Sequence, residues 1–261
     1  MSLNKRIALV TGSNQGIGLA IAEVLARHGA TIVLHGLCAV DEGERQAREL
    51  TEAWGTGVSF LPADLGEPDE AAGLVEAAVA RHGRLDILVN NAGIQYTAPL
   101  DEYPLARWDA IQAINLRAPF LLTQAALPHM RRQGWGRIVN IASVHGLVAS
   151  VNKSAYCAAK HGLVGLTKVA ALETATDGIT VNAICPGWTE TPILEPQIAA
   201  RAAQLGTGRD AAIRSLVAEK QPNQTLMPPA WIGEMAAFLC SDAAAGITGT
   251  ALPVDGGWTA Q

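Results

Sequence analysis

Cysteine is scarce in this chain and carries no pattern. The four residues, at 38, 157, 185 and 240, form no C-x-x-C pair and no metal-ligand spacing. That excludes a disulfide scaffold or zinc module and predicts reduced, mostly buried thiols, with no metal site. No basic cluster stands out and the net charge is −5, so the electrostatic footprint of a nucleic-acid binder is missing. Apolar runs such as Ala-Val-Ala and Leu-Val-Gly-Leu are too short to cross a bilayer. Met1 to Lys5 lead directly into an apolar segment, without the charged, apolar and cleavable regions of a signal peptide. The expectation is a soluble, cytoplasmic protein with neither a nucleic-acid nor a membrane partner. What the chain does have is 261 residues, 49% of them hydrophobic and only 16% charged. That is enough to bury a large core, and a single α/β domain over residues 1–261 is within the usual range.

Short β-branched runs recur at Ile7–Val10, Thr31–Leu34, Val58–Leu61, Ile87–Val89, Arg137–Ile141, Thr180–Ile184 and Ala251–Val254. Between them, helical spacing marks Ile17–Arg27, Glu44–Ala53, Pro68–Arg81, Leu105–Arg131, Ala155–Thr174 and Pro229–Cys240. Apolar strands alternating with helices predict a doubly wound, Rossmann-type parallel sheet of seven strands with helices on both faces. One stretch breaks the rhythm. Between Gly187 and Pro228 no strand is predicted, and the segment is polar, Ala-rich and marked by Pro192, Pro196 and Pro222. An excursion of this kind, at about 189–225, reads as a lid over a ligand, with a surface insertion as the plain alternative.

Thr11-Gly12-Ser13-Asn14-Gln15-Gly16-Ile17-Gly18 joins the first strand to the first helix. Glycines there permit a tight turn and close backbone approach, and the helix N-terminus offers free N–H groups to a pyrophosphate. The spacing Gly-x-x-x-Gly-x-Gly resembles that of the short-chain dehydrogenase/reductases. The resemblance extends through Asn90-Asn91-Ala92-Gly93, Asn115, Ser143, Tyr156-x-x-x-Lys160 and Pro186-Gly187, over essentially the whole chain. It implies a nicotinamide-dependent oxidoreductase. By the same resemblance Gly12, Asn14, Gly16, Ile17, Gly18, Leu37, Asp64, Leu65, Asn91, Gly93, Pro186 and Gly187 would hold the cofactor together with Tyr156 and Lys160. Asp64 would face adenine, and its plain alternative is a helix cap or turn residue.

Tyr156 and Lys160 lie four apart in a helical stretch and so share a face. An ammonium ~4 Å from a phenol, at an effective dielectric of ~20, favours phenolate by ~4 kcal/mol. That is ~3 pKa units, enough to bring a tyrosine near 7 and make it a general base. The resemblance assigns proton removal to Tyr156, with Ser143 on the same substrate oxygen and Asn115 holding a water on the path from Lys160.

The second strand ends His35-Gly36-Leu37, without the carboxylate that often grips an adenosine ribose. No Lys or Arg stands there or at Ser13, Asn14 or Gln15 to meet a 2′-phosphate, while Asp41 and Glu42 would repel one. NAD is therefore expected rather than NADP.

Gln95, His145, Lys153, Trp188 and Gln197 fall around these motifs. Such a polar, cationic set suits a small carboxylate and suits a steroid or long acyl chain badly. Gly93-Ile94-Gln95, Ala142 to Ser150, Asn152 to Tyr156, Cys185 to Trp188, Glu219 to Pro222 and Val254 to Thr259 are similar to the bacterial D-3-hydroxybutyrate dehydrogenase branch of the family. In that branch the equivalents of Gln95, Ser143, His145, Lys153, Tyr156 and Gln197 hold the hydroxy acid. The branch implies (R)-3-hydroxybutyrate as a small hydroxy-acid substrate, and the family implies a homotetramer. A sugar-alcohol dehydrogenase, a 3-oxoacyl reductase and a nucleotide-sensing binding protein remain as alternatives. His28, His35, His82, His129 and His161 are read as structural, and Trp258 as core rather than pocket wall.

Overall fold

The computed structural model describes residues 2–261. Seven parallel strands form one sheet in the order β3-β2-β1-β4-β5-β6-β7. They are β1 (Ile7–Val10), β2 (Thr31–Gly36), β3 (Val58–Pro62), β4 (Ile87–Asn90), β5 (Gly136–Ile141), β6 (Ile179–Pro186) and β7 (Ala251–Val254). Strands β1, β4, β5 and β6 are buried at every position, as expected when helices cover both faces. Helices α1 (Gly16–Arg27), α2 (Val40–Trp54), α3 (Pro68–His82), α4 (Leu105–Gln112), α5 (Ala118–Gln133) and α6 (Ser154–Glu173) lie between strands. They are followed by α7 (Glu195–Leu205), α8 (Arg209–Lys220) and α9 (Pro229–Cys240). One core packs Ile21, Leu50 and Ile232 of α1, α2 and α9 under Val10, Ile32 and Val139. The other packs Leu74, Leu122 and Ala170 of α3, α5 and α6 under Leu9, Leu88 and Val181. The predicted doubly wound fold is the observed one.

Two stretches differ from the sequence expectation. The helical run expected unbroken over Leu105–Arg131 is split by a π turn at Ala113–Arg117. Pro119 has no N–H to offer the carbonyl of residue 115, so the i→i−4 ladder is lost there and widens by one residue. The excursion after β6, where the sequence reading assigns no helix, folds as two helices, α7 and α8. Leu194, Ile198 and Ala212 form a small core of their own beneath Trp188, Ile213 and Leu226. Arg201 bonds Ser215 at 2.9 Å and Glu219 at 2.6 Å across the pair. Its two ends close on each other: Glu190 N donates to Met227 O at 2.9 Å, and Met227 N to Trp188 O at 3.0 Å. Among the described residues no helix is long and apolar enough to cross a membrane, and no group of metal-ligating side chains is assembled.

Candidate active site

The strand order reverses between β1 and β4, and ligands of open α/β sheets bind beyond the strand ends at such a point. A cleft of about 520 Å³ opens there. Gly12 and Gly16 take the left-handed conformation, at φ +60° and +57°, which only glycine adopts without strain. A Cβ on Gly12 would lie 2.9 Å from Ala92 Cα, and one on Gly18 would lie 2.3 Å from Gly12 O and 2.4 Å from Asn91 Nδ2. The cradle is therefore shaped for backbone alone, with α1 starting at its rim, and it fits a pyrophosphate. Gly18→Ala is expected to cost about 2–3 kcal/mol of stability through this overpacking. Urea unfolding measures it, and a loss under about 0.5 kcal/mol would refute the close-packing role.

Of the cofactor residues expected from sequence, Gly12, Asn14, Gly16, Ile17, Leu37, Asp64, Leu65, Asn91, Gly93, Pro186 and Gly187 all line the cleft. Gly18 does not; its place is beneath the turn. Asn91 spends its amide on the turn, donating to Thr11 O at 2.9 Å and Gly12 O at 3.0 Å. Asp64 accepts from Gly66 N at 2.8 Å, so it is a turn residue as well as a cleft residue. Leu37 is 71% exposed and stands at the rim where a ribose-binding acid would be.

Ser143 follows β5 and caps a short 3₁₀ turn, its Oγ accepting from His145 N at 3.1 Å. Gly146 lets this turn lie against α6, because a Cβ there would come within 2.8 Å of the Lys160 carbonyl. Ser143 is thereby set in the same cleft wall as Tyr156. Lys160 is buried, its Nζ donating to Ile141 O at 2.8 Å and lying 5.6 Å from the Tyr156 ring centre.

The expectation that this ammonium alone brings the phenol near 7 is not met. Burial pushes Tyr156 up to about 12, and the nearby Ser143 hydroxyl offsets only part of that. Burial also pulls Lys160 down to about 8. Both charged forms lose solvation together, and the lysine is aimed at a backbone carbonyl rather than at the phenol oxygen.

Asn115 is not in the cleft wall. Its Oδ1 accepts from Ile94 N and its Nδ2 donates to Ile94 O, both at 2.9 Å. The mid-helix asparagine does have a task, but the one seen is to pin the loop after β4, which carries Gly93 and Gln95.

Gln95, His145, Lys153, Trp188 and Gln197 all line the far end of the same cleft. Lys153 is 8% exposed, donates to Gln197 Oε1 at 2.9 Å and lies 5.3 Å from the Trp188 ring centre. Burial lowers its pKa to about 8, so the ammonium is desolvated and persists at neutral pH. His145 is neutral: burial first, then Lys153, pull it down to about 3. Its Nδ1 pairs with Ser143 Oγ at 3.3 Å and its Nε2 with Ser150 Oγ at 2.9 Å.

Two residues read from sequence as structural belong to the cleft. Trp258 is pocket wall, with its ring centre 5.5 Å from His145 and 5.6 Å from Trp188. The signal was the preceding Asp255-Gly256-Gly257. Those glycines take φ +62° and +92°, and the Asp255 carboxylate accepts from Gly257 N and Thr259 N, folding the tail back over the site. His35 also lines the cleft, beneath the glycine turn. Nothing in the sequence marked it.

A family model described as enoyl-(acyl carrier protein) reductase matches residues 12–259. The D-beta-hydroxybutyrate dehydrogenase of Cupriavidus necator is 49% identical over 99% of this chain and 100% of its own. That of Rhizobium meliloti is 46% identical over 98% of this chain and 99% of its own. A solved structure from Beutenbergia cavernae, named for NAD(P)-dependent gluconate 5-dehydrogenase activity and carrying NADP at low occupancy, superimposes with a TM-score of 0.89. It is 38% identical over 100% of this chain and 99% of that one. Fold, site and relatives agree: the chain is an oxidoreductase that belongs to the short-chain dehydrogenase/reductase family.

Proposed function

We propose that the protein reversibly oxidises (R)-3-hydroxybutyrate to acetoacetate with NAD as the hydride acceptor. The observation that carries this reading is the buried Lys153 ammonium, held by Gln197 at the end of the cleft where Ser143 and Tyr156 meet. A desolvated cation there needs an anion, and a hydroxy acid brings its carboxylate to Lys153 while its hydroxyl reaches Ser143 and Tyr156. A sugar alcohol or a long acyl chain would leave that charge unmatched.

Gly12, Gly16, Asn91 and Gly93 of the cleft would hold the dinucleotide, which would supply the hydride acceptor and, when oxidised, a positive charge. Ser143 Oγ and the Tyr156 phenol hold the substrate oxygen, and the proton leaves that oxygen for Tyr156. His145 fixes Ser143 from behind. Lys160 sets the local potential and has a backbone anchor in Ile141. Helices α7 and α8 act as a lid that excludes water, with Gln197 as their contact to the substrate end. NAD is favoured by the exposed Leu37 at the β2 end and by Asp41 and Glu42 in the first turn of α2, which offer a 2′-phosphate no cation. The exposed Phe120, Val169 and Leu172 on α5 and α6 support assembly of identical chains, as a homotetramer, through those helices.

Steady-state rates with 3-hydroxybutyrate and with a sugar alcohol, each with NAD and NADP, test the proposal. The expected kcat/KM for the acid with NAD exceeds every other pairing by about tenfold or more. Equal or faster use of NADP would remove the cofactor assignment, and faster turnover of the sugar alcohol would remove the substrate.

A further inference from the structure

We infer that His35 is a positioning residue for dinucleotide binding, holding the glycine turn at its working height through a hydrogen bond from the Gly12 backbone to its ring. The inference rests on the reading of this cleft as the dinucleotide site.

The ring sits under the turn, 3% exposed. Gly12 N donates to His35 Nδ1 at 3.0 Å, and Nε2 faces Ala63 O at 3.0 Å. These partners fix the tautomer: Nδ1 bears the lone pair and Nε2 the hydrogen. Burial lowers the imidazole pKa, so the lone pair stays available. The next residue of the turn is tied to the same position, Ser13 N donating to His35 O at 2.8 Å and His35 N to Ser13 Oγ at 3.0 Å. Three hydrogen bonds therefore tie Gly12 and Ser13 of the cradle to residue 35.

Gly12 has little freedom elsewhere. Its carbonyl accepts from Asn91 Nδ2 at 3.0 Å, and a Cβ on it would lie 2.9 Å from Ala92 Cα. The ring is a strut between two walls of the cleft: the glycine turn on one side, and on the other the stretch after β3 that begins at Ala63 and continues to Asp64 and Leu65. Without an acceptor at the Nδ1 position the Gly12 N–H is left buried and unpaired, and the turn must shift to satisfy it. A pyrophosphate lying on the turn would sense that shift, whereas the substrate end would not.

Two variants separate the possibilities. His35→Leu keeps bulk and removes the acceptor. His35→Asn places Oδ1 where Nδ1 stood and keeps it. The probes are NADH and ADP-ribose, the latter carrying adenosine and pyrophosphate but no nicotinamide, with binding followed by calorimetry. His35→Leu is expected to bind both about tenfold more weakly or worse, and His35→Asn to stay within about threefold of wild type. In steady state the KM for the dinucleotide rises in His35→Leu, while the KM for the hydroxy acid stays within about twofold.

Wild-type affinity in His35→Leu, or an His35→Asn variant as weak as His35→Leu, overturns the inference. If His35→Leu does not fold, His35→Asn decides alone: near-wild-type binding upholds the acceptor role, and a tenfold loss refutes it. A wild-type protein that binds neither probe would instead defeat the dinucleotide reading itself.

Discussion

Tyr156→Phe is expected to lower turnover of 3-hydroxybutyrate by at least about 10³-fold, while NADH binding stays within a few-fold of wild type. The phenol is the group proposed to exchange a proton with the substrate oxygen, and phenylalanine keeps the ring without its hydroxyl. The elevated phenol pKa sharpens the expectation. At neutral pH the protein's own groups hold Tyr156 protonated, since burial takes it to about 12. On the proposed reading it would serve as an acid in the reductive direction, and in oxidation it would need added positive charge to serve as a base. The wild-type kcat for oxidation should accordingly rise with pH, and the variant should lose that dependence. Stopped-flow and steady-state rates check both statements. A variant retaining a tenth of wild-type turnover would mean that some other group moves the proton.

Lys153→Ala is expected to raise the KM for the acid by about 10²-fold, with a much smaller change in kcat. Removing one member of a buried, hydrogen-bonded charge pair costs 2 kcal/mol or more as a rule. Lys153 would be such a member with a carboxylate bound, and the other lysine of the cleft, Lys160, is turned to the Ile141 carbonyl. The charge also predicts a pH effect. Its pKa is lowered to about 8, so the ammonium is present below that value and is lost as pH rises through it. Wild-type KM for the acid should climb above pH 8, and a bound carboxylate, by favouring the charged form, moves the onset higher. The Tyr156 effect appears in kcat and the Lys153 effect in KM, so a full pH series separates them. An unchanged KM in Lys153→Ala would refute carboxylate recognition by this residue.

The sheet was legible because each strand is a short apolar run bounded by polar or glycine-rich turns, and the two-sided burial of β1, β4, β5 and β6 follows directly from that composition. The glycine cradle and the Tyr156–Lys160 pair were legible because their spacing is itself the geometry. Three features were not. The π turn depends on a missing N–H at Pro119, which leaves the apolar period almost unchanged. The paired helices of the excursion are short, polar and Ala-rich, and their small core forms only when they meet. His35 and Trp258 are recruited by tertiary contact, from the end of β2 and from the C-terminal tail; His35 carries no local pattern, and the glycine turn before Trp258 marks a bend without saying what the ring will face. The pKa of the phenol was misjudged for a related reason: a pairwise Coulomb estimate includes the attraction but not the desolvation that folding imposes on both partners.

The neck that joins Trp188 and Glu190 to Met227 has a consequence for how such enzymes diversify. Because the chain leaves and re-enters the body of the molecule at one hydrogen-bonded spot, the sheet does not register how long the intervening piece is or what it is made of. Closure entropy grows only slowly with the length of such a piece. The whole unit is therefore a replaceable cassette, and a different pair of helices spliced at the same neck would recut the substrate chamber while leaving hydride chemistry intact.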